Sequence, residues 1–269
     1  MFSKFQLMDI STDEFIDYES AGRTFFGNFQ SELRASLENF ISEDGVIDGT
    51  KLQNNWFPVR SKFDVFLSHS HDDESTAIAL AGFLKQELNL NTFIDSCLWG
   101  YSNELLRKLD EKYCRHSNGT SFDYDKRNYS TSHVHMMLSI ALSNMIDRCE
   151  SVILLNTPRS ISLEEDISKE QTSSPWIYNE LSIANVMRVR PIEDYRCQYT
   201  FLEHKDGVYD FANESANITI KYDVSEFLQS FITLTANDLW QCAGKWENNR
   251  KVFQSSLDYI YLSKGIITV

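Results

Sequence analysis

From about residue 60 onward the chain alternates short apolar runs with amphipathic stretches, the pattern of a parallel sheet flanked by helices. Residues 63–67 (FDVFL) predict a strand. Residues 73–88 then predict a helix, with Ala77, Leu80, Ala81, Leu84 and Leu88 on one stripe and Asp72 or Asp73 able to cap its start. Residues 91–94 (NTFI) predict a second short strand ended by Asp95, and residues 102–112 a short helix. A polar, turn-rich insertion is expected over 115–131, a helix over 133–148, a strand over 151–155 (SVILL) and a loop over 157–174. A helix starting near Pro175 and running to about Val189 follows. Weaker strands near 198–202 and 217–221 and helices over 224–236 and 245–263 complete the pattern. The first 60 residues read differently. Phe15, Tyr18, Phe25, Phe29, Leu33, Leu37 and Phe40 recur at helical spacing and predict two or three short helices that bury an aromatic face. Pro58 breaks that periodicity and sets a boundary near residue 60.

Composition narrows the function classes. With 42% hydrophobic residues, 10 Gly and 4 Pro in 269 residues, the chain has the apolar content of a folded protein. A formal net charge of −14 would repel a phosphate backbone and an anionic membrane surface, so neither nucleic acid nor membrane is an expected partner. No secretory leader and no membrane span is read in the sequence, which points to a cytoplasmic setting. Five cysteines without a CxxC pair argue for free thiols rather than a disulfide framework or a zinc ribbon.

Three segments carry a family resemblance. Residues 63–73 (FDVFLSHSHDD) form an opening strand and a turn into a helix. Residues 92–95 (TFID) followed by 96–100 (SCLWG) form a second strand and the stretch after it. Residues 174–180 (SPWIYNE) open a helix with a Trp-x-x-x-Glu spacing. In this order, with strand and helix patterns between them, they resemble a bacterial Toll/interleukin-1 receptor (TIR) domain of the Thoeris-like, antiphage-defence kind. The resemblance covers about residues 61–235 and leaves an N-terminal helical extension (1–60) and a C-terminal helical segment (236–269) outside it. It implies an α/β, flavodoxin-like fold: five parallel strands with helices on both faces and a cleft beyond the carboxyl ends of the strands.

Enzymatic members of the family cleave the nicotinamide–ribose bond of NAD+, and the resemblance implies NAD+ as substrate with no other cofactor. Nicotinamide leaves as a neutral molecule, so no general acid is required. An anionic carboxylate stabilises the positive charge that develops on the ribose. Glu180 is the candidate for that catalytic role, on a helix that Ser174 and Pro175 start well. Trp176, one turn earlier, either walls the ribose pocket or packs on the sheet, while Ile177, Leu181 and Ala184 make the core stripe; a solvated Glu180 is the bland alternative. Ser68, His69, Ser70 and His71 are candidate nucleotide contacts, with plain turn chemistry as the competing reading. A metal site there has no second ligand cluster to complete it, so no metal is expected. Asp95, Trp99 and Gly100 are candidate ligand contacts at the second strand's end, with helix capping the alternative for Asp95 and a loop anchor or self-association surface for Trp99.

The function these features imply is an NAD+ glycohydrolase or ADP-ribosyl cyclase that depletes NAD+ or makes an ADP-ribose-derived signal for a separate effector protein. Self-association through the TIR domains is the expected route to activity. A non-enzymatic TIR adaptor is the alternative, and a module that binds a nucleotide without turnover is a third.

Overall fold

The structure, a computed structural model, describes residues 1–11, 13–30, 37–42, 46–57, 63–117, 119–164, 169–196, 221–249 and 253–268. Five strands form one all-parallel sheet: β1 (Ser3–Met8), β2 (Val65–Ser68), β3 (Thr92–Ile94), β4 (Ser151–Leu155) and a strand at Ile232–Thr235. A separate antiparallel sheet holds β5 (Ser162–Glu164), β6 (Lys169–Thr172) and β7 (Tyr222–Asp223), so the Ile232–Thr235 strand is β8. The order of the main sheet is β3-β2-β4-β1-β8.

Every residue of β2, β3 and β4 is buried, which requires cover on both faces of the sheet. The cover comes from helices α1 (Glu19–Gln30), α2 (Gly49–Trp56), α3 (Glu74–Leu88), α4 (Ser96–Leu109), α5 (Tyr124–Arg148) and α6 (Pro175–Val186). Short α7 (Glu193–Arg196) and α8 (Ser225–Leu228) are followed by α9 (Ala236–Asn249) and α10 (Leu257–Ser263). α1 packs on α3 and α3 on α9, while α5 packs on α2, α4 and α6. The fold is therefore α/β with a parallel sheet. Its β3-β2-β4 part has the spatial order expected at a doubly wound switch point, where the chain leaves β2 toward one edge and returns to β4 on the other side.

The N-terminal expectation is corrected. The expected short helices are there as α1 and α2, but the segment is not an extension outside the sheet, because β1 lies between β4 and β8 with Phe5 opposite both Ile153 and Ile232. Its burial alternates: Ser3, Phe5 and Leu7 are buried, and the intervening polar side chains are half-buried with partners of their own. Lys4 donates to Ser230 Oγ at 2.8 Å, and Gln6 Oε1 accepts from Asn156 Nδ2 at 3.0 Å. The limits 61–235 therefore cut through one sheet. α9 and α10 belong to the same core, since Leu239, Leu257, Ile260 and Tyr261 are buried in it and Tyr261 stacks on Phe5 with centroids 6.2 Å apart. The expected aromatic face is present as Phe15 and Tyr18, which pack on Phe83 and Trp240. The break at Pro58 and the expected strands near 198–202 and 217–221 lie outside the described residues, apart from Lys221, which is in no strand.

Three further expectations change. The polar stretch 115–131 is not an insertion: from Tyr124 it is the opening of α5, started by Asp123, whose carboxylate accepts from Lys126 N at 3.0 Å. Its exposed turns carry no apolar stripe for periodicity to detect. The expected loop 157–174 contains β5 and β6, and the expected helix 224–236 is the short α8 followed by β8. The expected helix 245–263 is the end of α9 and the separate α10.

α1 and α3 approach at two glycines. A Cβ at Gly22 would stand 2.0 Å from Ile78 O, and one at Gly82 would stand 2.2 Å from Tyr18 O. Backbone cannot yield like a side-chain tip. Gly22→Ala and Gly82→Ala are each expected to lower stability by about 1–3 kcal/mol or more, read as a shifted urea midpoint; an unchanged midpoint would show that the helices do not meet this closely.

Candidate functional site

The parallel sheet delivers the ends of β2 and β3 side by side, with Leu67 paired to Ile94. Ser68 and His69 therefore emerge next to Asp95. α6 starts as its sequence predicts: Ser174 accepts from Ile177 N at 3.3 Å and Pro175 occupies the first turn. Ile177, Leu181 and Ala184 face the core, but so does Glu180, which is 2% exposed. The solvated-glutamate alternative is overturned.

Four polar residues meet here, all buried. Ser68 Oγ donates to Glu180 Oε2 at 2.6 Å. The Glu180 and Asp95 carboxyls lie near enough for each to act on the other's charge. Asp95 Oδ1 lies 2.6 Å from His69 Nδ1 and accepts from Ser96 N at 2.7 Å, while its Oδ2 accepts from His69 N at 3.4 Å. Asp95 thus caps the start of α4, one of the two readings of that residue, while lying in the cluster.

The electrostatics follow from burial. Burial and then the Asp95 charge push the Glu180 carboxyl well above the ordinary carboxylate range. Burial likewise raises Asp95, against the hydrogen bonds that stabilise its anion. Asp95 has amide donors and the imidazole around it, which favour its anion more than the Ser68 hydroxyl favours that of Glu180. Burial lowers His69 to about 4, against the pull of Glu180, Glu74 and Asp73, so its ring is neutral at pH 7.

Ser70 is half-buried and His71 exposed in the short helical turn after β2, in contrast to the four buried residues of the cluster. Trp176 is half-buried and packs edge-on against His135 with centroids 5.2 Å apart. Trp99 and Gly100 do not sit in a loop: helix α4 begins at Ser96 and includes both, and their side chains lie outside the described residues. Among the described residues no group of three or more His, Cys, Asp or Glu side chains is placed to hold a metal ion.

One pair escaped the sequence reading. Asp73 makes no side-chain cap to α3; instead its Oδ2 accepts from Thr157 Oγ1 at 2.5 Å and its Oδ1 from Arg159 Nη1 at 2.9 Å. This ties the segment after β4 to the start of α3 and places a half-exposed guanidinium at the carboxyl end of the sheet. The run Thr157-Pro158-Arg159, one residue after the apolar strand β4, was the available signal.

At the opposite end of the sheet, a cavity of about 500 Å³ is lined by Asp64, Asn91, Glu150, Tyr195, Arg196 and Trp246 among others. Arg196 dominates its chemistry. Its two terminal nitrogens donate to Glu150 at 2.7 and 2.8 Å, and Nη2 also donates to Asp258 at 2.5 Å. With both carboxylates drawn onto the one guanidinium, this end leaves an anionic ligand little to bind. The polar cluster at Ser68, His69, Asp95 and Glu180 is the better candidate.

The fold and site thus define an α/β protein with a buried acid pair at the carboxyl ends of a parallel sheet. Comparisons with protein-family models, curated proteins and solved structures yield no match to this chain.

Proposed function

We propose that this chain is a TIR-like NAD+ glycohydrolase or cyclase in which Glu180 is the catalytic carboxylate. The observation that carries the reading is the meeting of Ser68, His69, Asp95 and Glu180 in one buried cluster beside the switch point of the sheet. A helix that only had to cover the sheet would be more stable with an apolar side chain at 180, since a buried acid pair costs desolvation energy. Strongly perturbed carboxyls drawn from separate elements are a mark of functional sites.

In this reading the pyridinium ring enters over Glu180 and the C–N bond between ribose and nicotinamide breaks, its electron pair leaving with neutral nicotinamide. The Glu180 carboxylate stabilises the cationic ribose until water, the adenine or another nucleophile traps it. Ser68 orients Glu180. Arg159, which Asp73 holds at the same end of the sheet, is the candidate to meet the diphosphate in this reading. The structure has Glu180 enclosed, so the elements around it must part to admit substrate, which fits an enzyme that is quiet until association opens the site. Exposed Tyr129, Met136 and Ile140, spaced along one face of α5, offer an apolar surface for that association. An ADP-ribose-derived product acting on a separate effector in the cytoplasm completes the proposal. Among the described residues no helix is long and apolar enough to cross a membrane.

The enclosure of Glu180 also favours a second reading: a non-enzymatic adaptor in which the cluster is a structural hydrogen-bond network. Mass spectrometry after incubation with NAD+, at low and high protein concentration, separates the two. Nicotinamide release by the wild type and not by Glu180→Gln supports the enzyme, and the mass of the second product identifies the trap. Silence of the concentrated wild type, with phage-infected lysate added, supports the adaptor.

A further inference from the structure

We propose that the cavity at the amino end of the sheet is a second binding site, separate from the Glu180 cluster, for an uncharged ring compound of nucleoside size that carries a carbonyl group. Its volume of about 500 Å³ falls within the roughly 300–1,000 Å³ of small-molecule sites. The part formed by the sheet is held by the backbone. Asp64 N donates to Asn91 O at 2.8 Å, and Asp64 O accepts from Glu150 N and Ser151 N at 3.1 and 3.0 Å. The Asp64 carboxylate accepts in turn from Asn91 N at 2.8 Å, so the amino ends of β2, β3 and β4 are tied together. Tyr195 and Arg196 reach the cavity from α7 and Trp246 from α9.

Hydrogen-bond donors are in surplus here. Trp246 Nε1 and the Tyr195 hydroxyl are buried, and neither has a hydrogen-bond partner among the described residues. A buried N–H or O–H left unpaired carries a desolvation penalty, and native structures keep few such groups. The acceptors beside them are already engaged: Glu150 by Arg196 and Tyr261, Asp64 by the Asn91 amide. A carbonyl on a ligand supplies what is missing. Charge selects against an anion. The carboxylates of Asp64, Glu150 and Asp258 stand against the cations Arg196 and Lys85, and both cations are turned to protein partners, Lys85 donating to Asn91 Oδ1 at 2.8 Å. A phosphate or carboxylate brought here adds to an excess of negative charge. The indole and phenol rings on the wall suit a flat heteroaromatic ring. The lactam edge of a nucleobase joins these properties: planarity, a carbonyl acceptor and no charge.

Calorimetry and NMR of the full chain with inosine, uridine and inosine 5′-monophosphate test the proposal. A nucleoside is expected to bind saturably and to shift the Trp246 indole N–H resonance, which is identified by its absence from Trp246→Phe. Trp246→Phe and Tyr195→Phe each keep an aromatic ring and remove one donor. Each is expected to weaken nucleoside binding by about 2–10-fold, the effect of one hydrogen bond, while leaving the urea midpoint of the free protein unchanged or higher. The monophosphate is expected to bind at least about tenfold more weakly than inosine. Glu180→Gln should bind inosine as the wild type does, since the two sites lie at opposite ends of the sheet. No saturable binding of either nucleoside, binding that neither Phe variant weakens, or a monophosphate that binds as tightly as inosine overturns the proposal. A urea midpoint clearly lowered by both Phe variants shows that the two donors are paired in the free protein and overturns it too. Loss of inosine binding in Glu180→Gln places the ligand at the other end of the sheet, with the same consequence. None of these readings depends on NAD+ cleavage, so the proposed function and this site stand or fall separately.

Discussion

Glu180→Gln is expected to reduce nicotinamide release from NAD+ by at least about 10²–10³-fold, the usual effect of removing one preorganised electrostatic stabiliser, while making the fold more stable. Both outcomes have one physical source. The introduced amide keeps an oxygen to accept from Ser68, offers an N–H toward the neighbouring Asp95 charge, and brings no carboxyl into the buried site to ionise. The sign of the stability change follows from linkage. A carboxyl whose folded-state pKa is raised above its ordinary 4.5 binds more protons folded than unfolded, so the wild type loses stability as pH rises through and beyond 4.5. The substitution removes that loss. A gain of about 0.5–2 kcal/mol near neutral pH corresponds to a melting temperature higher by a few degrees, on the order of 2–4 °C per kcal/mol, and the gain should vanish below about pH 4.5.

His69 acts in the opposite direction. Its folded-state pKa of about 4 against an ordinary 6.5 means that the unfolded chain binds the extra proton, so stability falls as pH drops from 6.5 toward 4. In the wild type this slope and that of the acid pair oppose each other across the same window. In Glu180→Gln the histidine slope is exposed, and acid sensitivity between those values should be steeper than in the wild type. A melting temperature lowered by Glu180→Gln at pH 7 would contradict the buried-acid account. Glu180→Ala supplies the contrast, because it strands Ser68 and Asp95 and should cost about 1–3 kcal/mol.

The second large effect is structural. Arg196→Ala is expected to destabilise the protein by about 3–5 kcal/mol, because it leaves Glu150 and Asp258 buried and close together with no cation between them. The clamp joins the start of β4 to α7 and α10. Tyr261 extends it by donating to Glu150 Oε1 at 3.0 Å while accepting from Ser3 Oγ at 3.1 Å, so β1 is tied to the same network. Chemical denaturation should show the midpoint falling, with a melting temperature lower by on the order of 10 °C. Arg196→Lys is expected to recover only part of this, since one ammonium cannot reproduce a two-pronged bond to Glu150 and a further bond to Asp258. Full recovery by Lys would reduce the clamp to simple charge balance.

The sequence by itself determined the local elements wherever a strong signal spanned a few residues. Apolar runs marked β2, β3 and β4, a 3.6-residue stripe marked α3, and Ser174-Pro175 marked the start of α6. These periodicities report which face of an element is buried; it was the resemblance of three short segments to a family, and not periodicity, that put Ser68, Asp95 and Glu180 together at the carboxyl end of a parallel sheet. What the sequence could not convey was pairing between distant segments. β1 reads SKFQLM, an alternation unlike the unbroken apolar runs of the other central strands, because the partners of Lys4 and Gln6 are Ser230 and Asn156. Nothing local announces that this segment lies between β4 and β8. The polar opening of α5 was similarly silent, since an exposed helical turn has no core to imprint a stripe on it. The tertiary structure alone decided that Glu180 is enclosed, that Asp95 lies against it and that Asp73 is drawn to Arg159. A carboxyl's charge state depends on which groups surround it in three dimensions, whereas a helix's stripe depends only on its own residues.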